Sequence, residues 1–273
     1  MLLTRTFSSI FLLFLIFLAY TNHNFFNFFF IYFISFFINW EFLRLVNFYN
    51  YKYKTTDETI NNFILTKSKL KNIDYLLILN LQIFLFFDKN VYIFSFIIFI
   101  SIISKIFFDE KFYILKLLGL LYLTIPFVYL LGFDNQEILL ENLIFLLIII
   151  ISTDLGGYTF GKLIGGPKIY TNISPNKTWI GLFGGIFFSC CISSIFFNNS
   201  SIIFLFVISF LSIICQIGDF IESYLKRKSI VKESSNLIPG HGGILDRLDG
   251  AIFLLNVMFI SNYFGFSFYN YVQ

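Results

Sequence analysis

Apolar side chains run almost unbroken along nine stretches of this chain, each on the scale of a bilayer crossing. A spanning helix needs about 20 mostly apolar residues. The candidates are Phe7–Tyr20, Asn24–Trp40, Tyr75–Phe87, Val91–Phe108, Phe112–Leu131, Ile138–Ser152, Trp179–Phe197, Ile202–Ile217 and Ala251–Phe266. Several are shorter than the ideal, so their ends reach into flanking polar residues. Charged side chains make up 13% of the sequence, against about 25% in soluble domains. The expected fold is therefore all-α and polytopic, with about nine transmembrane helices embedded in a lipid bilayer. The reading divides the chain into N-terminal helices over 1–150, with a polar cytoplasmic loop at 44–74, and a C-terminal region over 151–273.

The basic residues give an independent test of that count. With the N-terminus in the cytoplasm, eighteen of the nineteen Lys and Arg fall in cytoplasmic segments or just inside the adjoining helix, and only Lys89 falls outside. Positive charge concentrates on the cytoplasmic side of membrane proteins, and a wrong number of spans would scramble the pattern. Arg5 before an apolar run resembles the start of a secretory signal, but no small-x-small cleavage site follows. A retained first helix is expected. The formal net charge of +3 is too small to point to nucleic acid. Cys190, Cys191 and Cys215 all sit inside apolar runs, without the spacing of a disulfide framework or a zinc site.

An ionised side chain at a bilayer centre costs roughly 2.5–3.5 kcal/mol on insertion scales. Clusters of charge beside a membrane helix therefore need water, phosphate or metal to receive them. Three such patches lie on the predicted cytoplasmic side. The first runs from Asp154 to Lys168, and its Gly156–Lys162 portion spells the G-x-x-x-x-G-K opening of a phosphate loop. A phosphate loop also needs Ser or Thr next, and a preceding strand. Leu163 and a membrane helix stand there instead. These glycines are expected to let helices, or a phosphate, approach closely, with Lys162 and Lys168 as counter-charges. The second patch is Ser174-Pro-Asn-Lys-Thr-Trp-Ile-Gly181. Ser174 reads as a helix N-cap and Pro175 as the first-turn residue, which would leave free amides near Lys177 to bind an anion.

The third patch spans Ser223 to Asp249. Asp219, Glu222, Ser223 and Lys226 follow i, i+3, i+4, i+7 and so share one helix face. Asp246 and Asp249 follow i, i+3 after the His241-Gly242-Gly243 turn. If the turn brings the two helix ends together, three or four carboxylates converge near Lys226, Arg227 and Arg247. Two carboxylates 4 Å apart repel by roughly 4 kcal/mol at an effective dielectric of 20. A divalent cation relieves this, and hard oxygen ligands favour Mg2+. The plain alternative is a network of structural ion pairs.

This segment resembles the signature of the phosphatidate cytidylyltransferase (CDP-diacylglycerol synthase) family: Ser-x-apolar-Lys-Arg, four residues, Lys-Asp, then Pro-x-His-Gly-Gly and apolar-x-Asp-Arg-apolar-Asp. Every spacing is kept from Ser223 to Asp249, with Glu233 in place of Asp. The stretch from Asp154 to Gly181 is similar to the family's upstream elements. Gly157 replaces Ala there, Asn176 replaces Lys and Ile180 replaces Glu. The resemblance covers residues 150–265 and implies transfer of CMP from CTP to phosphatidate, releasing pyrophosphate, at a multi-pass bacterial inner membrane with the site facing the cytoplasm. It further implies Asp219 and Asp246 as magnesium ligands, with Asp249 and Glu222 supporting. Lys226, Arg227, Arg247 and Lys177 would hold phosphates, and Gly242, Gly243 and His241 would shape the turn. Asp154, Ser174 and Ser223 join the substrate-binding set, and a homodimer is consistent with the family pattern. The rival readings are a CTP-dependent lipid kinase, a cytidylyltransferase of another lipid phosphate, and a membrane transporter. Transporters place ionisable residues near the bilayer midplane, whereas the charges here gather at one surface.

Overall fold

Twenty-nine residues from Asn24 to Lys52, with neither glycine nor proline among them, form the first helix, α1. The computed structural model describes residues 24–52, 70–86, 112–132, 136–237, 242–266 and 268. The expected spans Phe7–Tyr20 and Val91–Phe108, residues 53–69 of the polar loop, and His241 lie outside them. After α1 come α2 (Asn72–Phe86), α3 (Tyr113–Leu131) and α4 (Gln136–Leu163). A short ribbon of β1 (Lys168–Tyr170) and β2 (Ser174–Thr178) follows, then α5 (Trp179–Phe197), α6 (Ile202–Lys228) and α7 (Leu245–Tyr263). The chain is thus mostly helical, with a two-stranded antiparallel ribbon that the all-α expectation did not include. Among the described residues, four helices, α3 to α6, are long and apolar enough to cross a membrane by length and composition.

The chain divides into two compact units. The first comprises Met1–Gly132 and Lys228–Arg247. Its described helices are joined by polar contacts at several levels: Gln82 Nε2 donates to Ser35 Oγ at 3.3 Å, Asn39 Nδ2 to Thr124 Oγ1 at 3.4 Å, and Asn47 Nδ2 to Asp74 Oδ2 at 2.7 Å. Asp74 and Lys116, both fully buried, form an ion pair of 2.6 Å between the first turns of α2 and α3. Ile38, Leu43, Leu77, Ile78, Leu81 and Leu120 are buried in the same unit. Breaking such a pair from one side strands a buried charge.

The second unit comprises Phe133–Arg227 and Leu248–Gln273. Small residues set its helix contacts. A Cβ on Gly156 would come within 2.6 Å of the Gly184 carbonyl, and one on Gly181 within 2.8 Å of the Gly157 carbonyl. Without side chains there, α4 and α5 approach backbone to backbone, as small residues allow in membrane helices. The Gly156–Lys162 stretch is therefore helical and is no phosphate loop; its glycines serve packing. Likewise α6 crosses α7 where Gly218 faces the Asp249 carbonyl and Gly250 faces Cys215. Thr153 Oγ1 donating to Ser212 Oγ at 2.9 Å, and Gln216 Nε2 to the Leu182 carbonyl at 3.2 Å, link α4, α5 and α6.

Candidate active site

In the second unit the site begins with helices that outrun their apolar segments. The apolar run of α6 ends near Ile217, but the helix continues to Lys228. Its last turns carry Asp219, Glu222, Ser223 and Lys226 on one face, at the spacing the sequence set. Lys226 Nζ lies 3.3 Å from Glu222 Oε1, and Ser223 Oγ approaches Asp219 Oδ1 at 3.5 Å. Arg227 Nε donates to the Ile173 carbonyl at 3.1 Å, tying the end of α6 to the ribbon turn.

The ribbon delivers the next group. Gly165 and Gly166 adopt positive φ values of 74° and 101° and turn the chain out of α4. Lys168 then pairs with Thr178, and Tyr170 with Ser174. Lys177, on β2, forms an ion pair with Asp219 Oδ2 and lies 4.2 Å from the centre of the Phe220 ring. This corrects the expected cap. Ser174 and Pro175 are strand residues, and α5 starts at Trp179 with Thr178 as its N-cap, the Thr178 hydroxyl accepting the Gly181 amide at 3.0 Å. Pairing with β1 keeps Ser174 extended, and Thr178 satisfies the helix end instead. The change places Lys177 on an extended segment that reaches α6.

Asp249, in the first turns of α7, completes this group. Its side chain contacts Glu222 and Asp219, and its Oδ1 accepts the Gly250 amide at 2.8 Å. Burial, reinforced by the Asp219 charge, pushes the Asp249 carboxyl up to about 6. Asp154, on α4, interacts electrostatically with Asp219 and with Lys177. The structure therefore brings Asp154, Lys177, Asp219, Glu222, Ser223, Lys226 and Asp249 into one region of the second unit. Ser174 opens the strand that carries Lys177.

Asp246 and Arg247 belong to the first unit. Asp246 closes the loop before α7: the Ser234 amide donates to Oδ1 at 3.1 Å and to Oδ2 at 2.9 Å, and the Gly243 amide donates to Oδ2 at 2.9 Å. Gly242 has a φ of 84°, and a Cβ there would meet Asp246 Oδ2 at 2.7 Å. Arg247 is exposed. The sequence reading missed Glu41, a buried α1 residue whose carboxylate accepts four hydrogen bonds from this loop and the start of α7. The available signal was an acid directly after an apolar run, which is costly unless partnered.

Among the described residues, no three His, Cys, Asp or Glu side chains form a ready-made metal cage. Magnesium asks for less: one or two carboxylates, with waters and substrate phosphate in the other positions. Asp219 and Asp249, hard oxygen donors whose charges oppose one another, fit magnesium held in that way. The cluster pairs anionic ligands with two lysines, which suits a reaction in which phosphate groups must be neutralised and aligned.

The sequence pattern of the cytidylyltransferase family matches residues 3–264. The phosphatidate cytidylyltransferase of Bacillus subtilis is 39% identical over 158 residues, covering 56% of this chain and 58% of that protein. The phosphatidate cytidylyltransferase of Staphylococcus saprophyticus is 38% identical over 152 residues, 53% of this chain and 58% of its own length. That of Staphylococcus aureus strain COL is 38% identical over 154 residues, again 58% of its length. The chain thus spans a little over half the length of these curated relatives.

Proposed function

The chain belongs to the cytidylyltransferase family, and from that premise we propose that it transfers CMP from CTP to phosphatidate, giving CDP-diacylglycerol and pyrophosphate. The observation that carries the proposal is the gathering of Lys177, Asp219, Glu222, Lys226 and Asp249 where α6 and α7 leave their apolar segments. A phosphatidate oxygen attacks the α-phosphorus of CTP, and the bond from that phosphorus to the pyrophosphate oxygen breaks. The attacking phosphate is already ionised, so no strong general base is required.

Lys177 and Lys226 hold phosphate oxygens, releasing Asp219 and Glu222 from their ion pairs as substrate enters. Arg227 and Arg247 supply further positive charge, and Asp154, Ser174, Ser223, His241, Gly242 and Gly243 complete the binding set. Asp219 and Asp249 are the proposed magnesium ligands, with Glu222 beside them. Asp246 is proposed as a further ligand on its i, i+3 spacing from Asp249 in the sequence. When bound, magnesium supplies Lewis-acid neutralisation of the transferring phosphate. In the proposed setting, nine spans place the N-terminus and the site on the cytoplasmic side of a bacterial inner membrane, and the protein works as a homodimer.

Purified protein supplied with magnesium, micellar phosphatidate and CTP labelled at the α-phosphorus tests the proposal. Label in the lipid product and unlabelled pyrophosphate support it. Transfer of label from the γ-phosphorus instead identifies a lipid kinase, and the absence of any CTP-dependent product rules out both.

A further inference from the structure

Glu41 has no part in the chemistry above, yet its carboxylate is used to capacity. The residue is 0% exposed. Its Oε1 accepts from Ser235 Oγ and, at 3.1 Å, from the Ile244 amide. Its Oε2 accepts from Ser234 Oγ at 3.1 Å and from the Leu245 amide at 2.7 Å. A carboxylate offers about four lone-pair sites, and here each meets a donor. Arg44, one turn along α1, adds a favourable charge interaction with it.

The four donors come from two places that matter to the site. Ser234 and Ser235 follow Lys232-Glu233 in the signature loop. Ile244 and Leu245 open α7, where the first-turn amides have no partner inside the helix and where negative charge is favoured by the helix dipole. Gly243 sits between the two: a Cβ there would overlap Ser234 Oγ and lie 2.5 Å from Glu41 Oε1. Asp246 closes the same loop from the other side through the Ser234 and Gly243 amides. A hydrophobic side chain could fill the space of Glu41, but it could not fix the register of both segments.

We propose that Glu41 is a positioning residue for the nucleotidyl transfer: its four-way anchor holds Ser234, Ser235, Ile244 and Leu245 so that Asp246 and Arg247 are presented in working orientation. The inference rests on the reading of Asp246 and Arg247 as site residues given under Proposed function.

The test compares full-length wild type, Glu41→Gln, Glu41→Asp and the Ser234→Ala/Ser235→Ala double variant in detergent. Turnover, magnesium dependence, melting temperature and hydrogen exchange at residues 242–246 are all measured. Glu41→Gln turns an amide N–H2 toward two of the donors. It is expected to lower kcat about 10- to 100-fold, the scale on which small misplacements act. The magnesium concentration for half-maximal rate should rise, and exchange at 242–246 should quicken. Glu41→Asp should recover part of the rate, and the serine double variant should shift both readouts in the same direction as Glu41→Gln. Asp74→Asn, which breaks a buried pair elsewhere in the first unit, controls for general loss of stability. Wild-type kcat and magnesium dependence in Glu41→Gln would overturn the proposal, as would unchanged exchange. So would a loss of kcat that Asp74→Asn matches at an equal drop in melting temperature. A wild-type protein without CTP-dependent product overturns the functional reading instead, while exchange at 242–246 still decides whether the anchor exists.

Discussion

Asp249 shows how a buried carboxyl group ties the chemistry to stability. Its pKa is raised to about 6 by burial and then by Asp219, against about 3.9 in an unfolded chain. Between those values the folded state holds the extra proton, so this residue's contribution to stability declines as pH rises through the window. In chelator, Asp249→Asn is therefore expected to melt above wild type at pH 7.5, with the difference shrinking as pH falls from about 6 to about 4. Melting curves at several pH values check this, and a lower melting temperature for Asp249→Asn at pH 7.5 would contradict it. The same variant, and Asp219→Asn, should lose nearly all turnover while still inserting in the membrane. Near-normal rates in either would remove that residue from the proposed ligand set. Residue types and spacings made Asp219, Glu222, Lys226, Asp246 and Asp249 legible as candidates. Glu41 was not, because a lone acid has no spacing, and its meaning comes from four partners distant in sequence.

At the level of elements, two sets of contacts carry separate predictions. Thr178 caps α5, so Thr178→Ala should cost about 1 kcal/mol of stability and Thr178→Ser should retain most of it. Ser174→Ala should leave the melting temperature near that of wild type, because Ser174 is on the strand. The glycines between α4 and α5 differ in the room around them. A Cβ on Gly157 has its nearest neighbour at an ordinary 3.5 Å, whereas one on Gly156 would press on Phe188 and the Gly184 carbonyl. Gly157→Ala should thus be tolerated, and Gly156→Ala should cost about 1–3 kcal/mol through overpacking. Thermal unfolding in detergent distinguishes them, and equal costs would contradict the close-approach account. The room beside Gly157 is compatible with the alanine that the family pattern has at that position. Periodicity and length located the helices, but the sequence could not separate a capping Ser174 from a paired one. Pairing depends on where β1 lies, and that is a tertiary fact.

At the scale of the molecule, membrane sidedness has a direct test. The charge pattern of the sequence predicts the ribbon on the cytoplasmic side and the turn between α5 and α6 on the other. A cysteine from Asn199→Cys should react with an impermeant maleimide in intact cells, and one from Lys168→Cys only after permeabilisation. Labelling of both from one side would overturn the alternation. What the sequence determined by itself was the membrane class, the helical periodicity and the identity of the charged cluster. Apolar length and charge cost are properties of a linear chain facing lipid, so no contact map is needed to read them. Tertiary structure alone decided that Lys177 pairs with Asp219, that the glycines of α4 serve packing, and that Glu41 anchors the loop ahead of α7. Each of these depends on backbones far apart in sequence coming within hydrogen-bonding or contact distance, and such distances are set by packing.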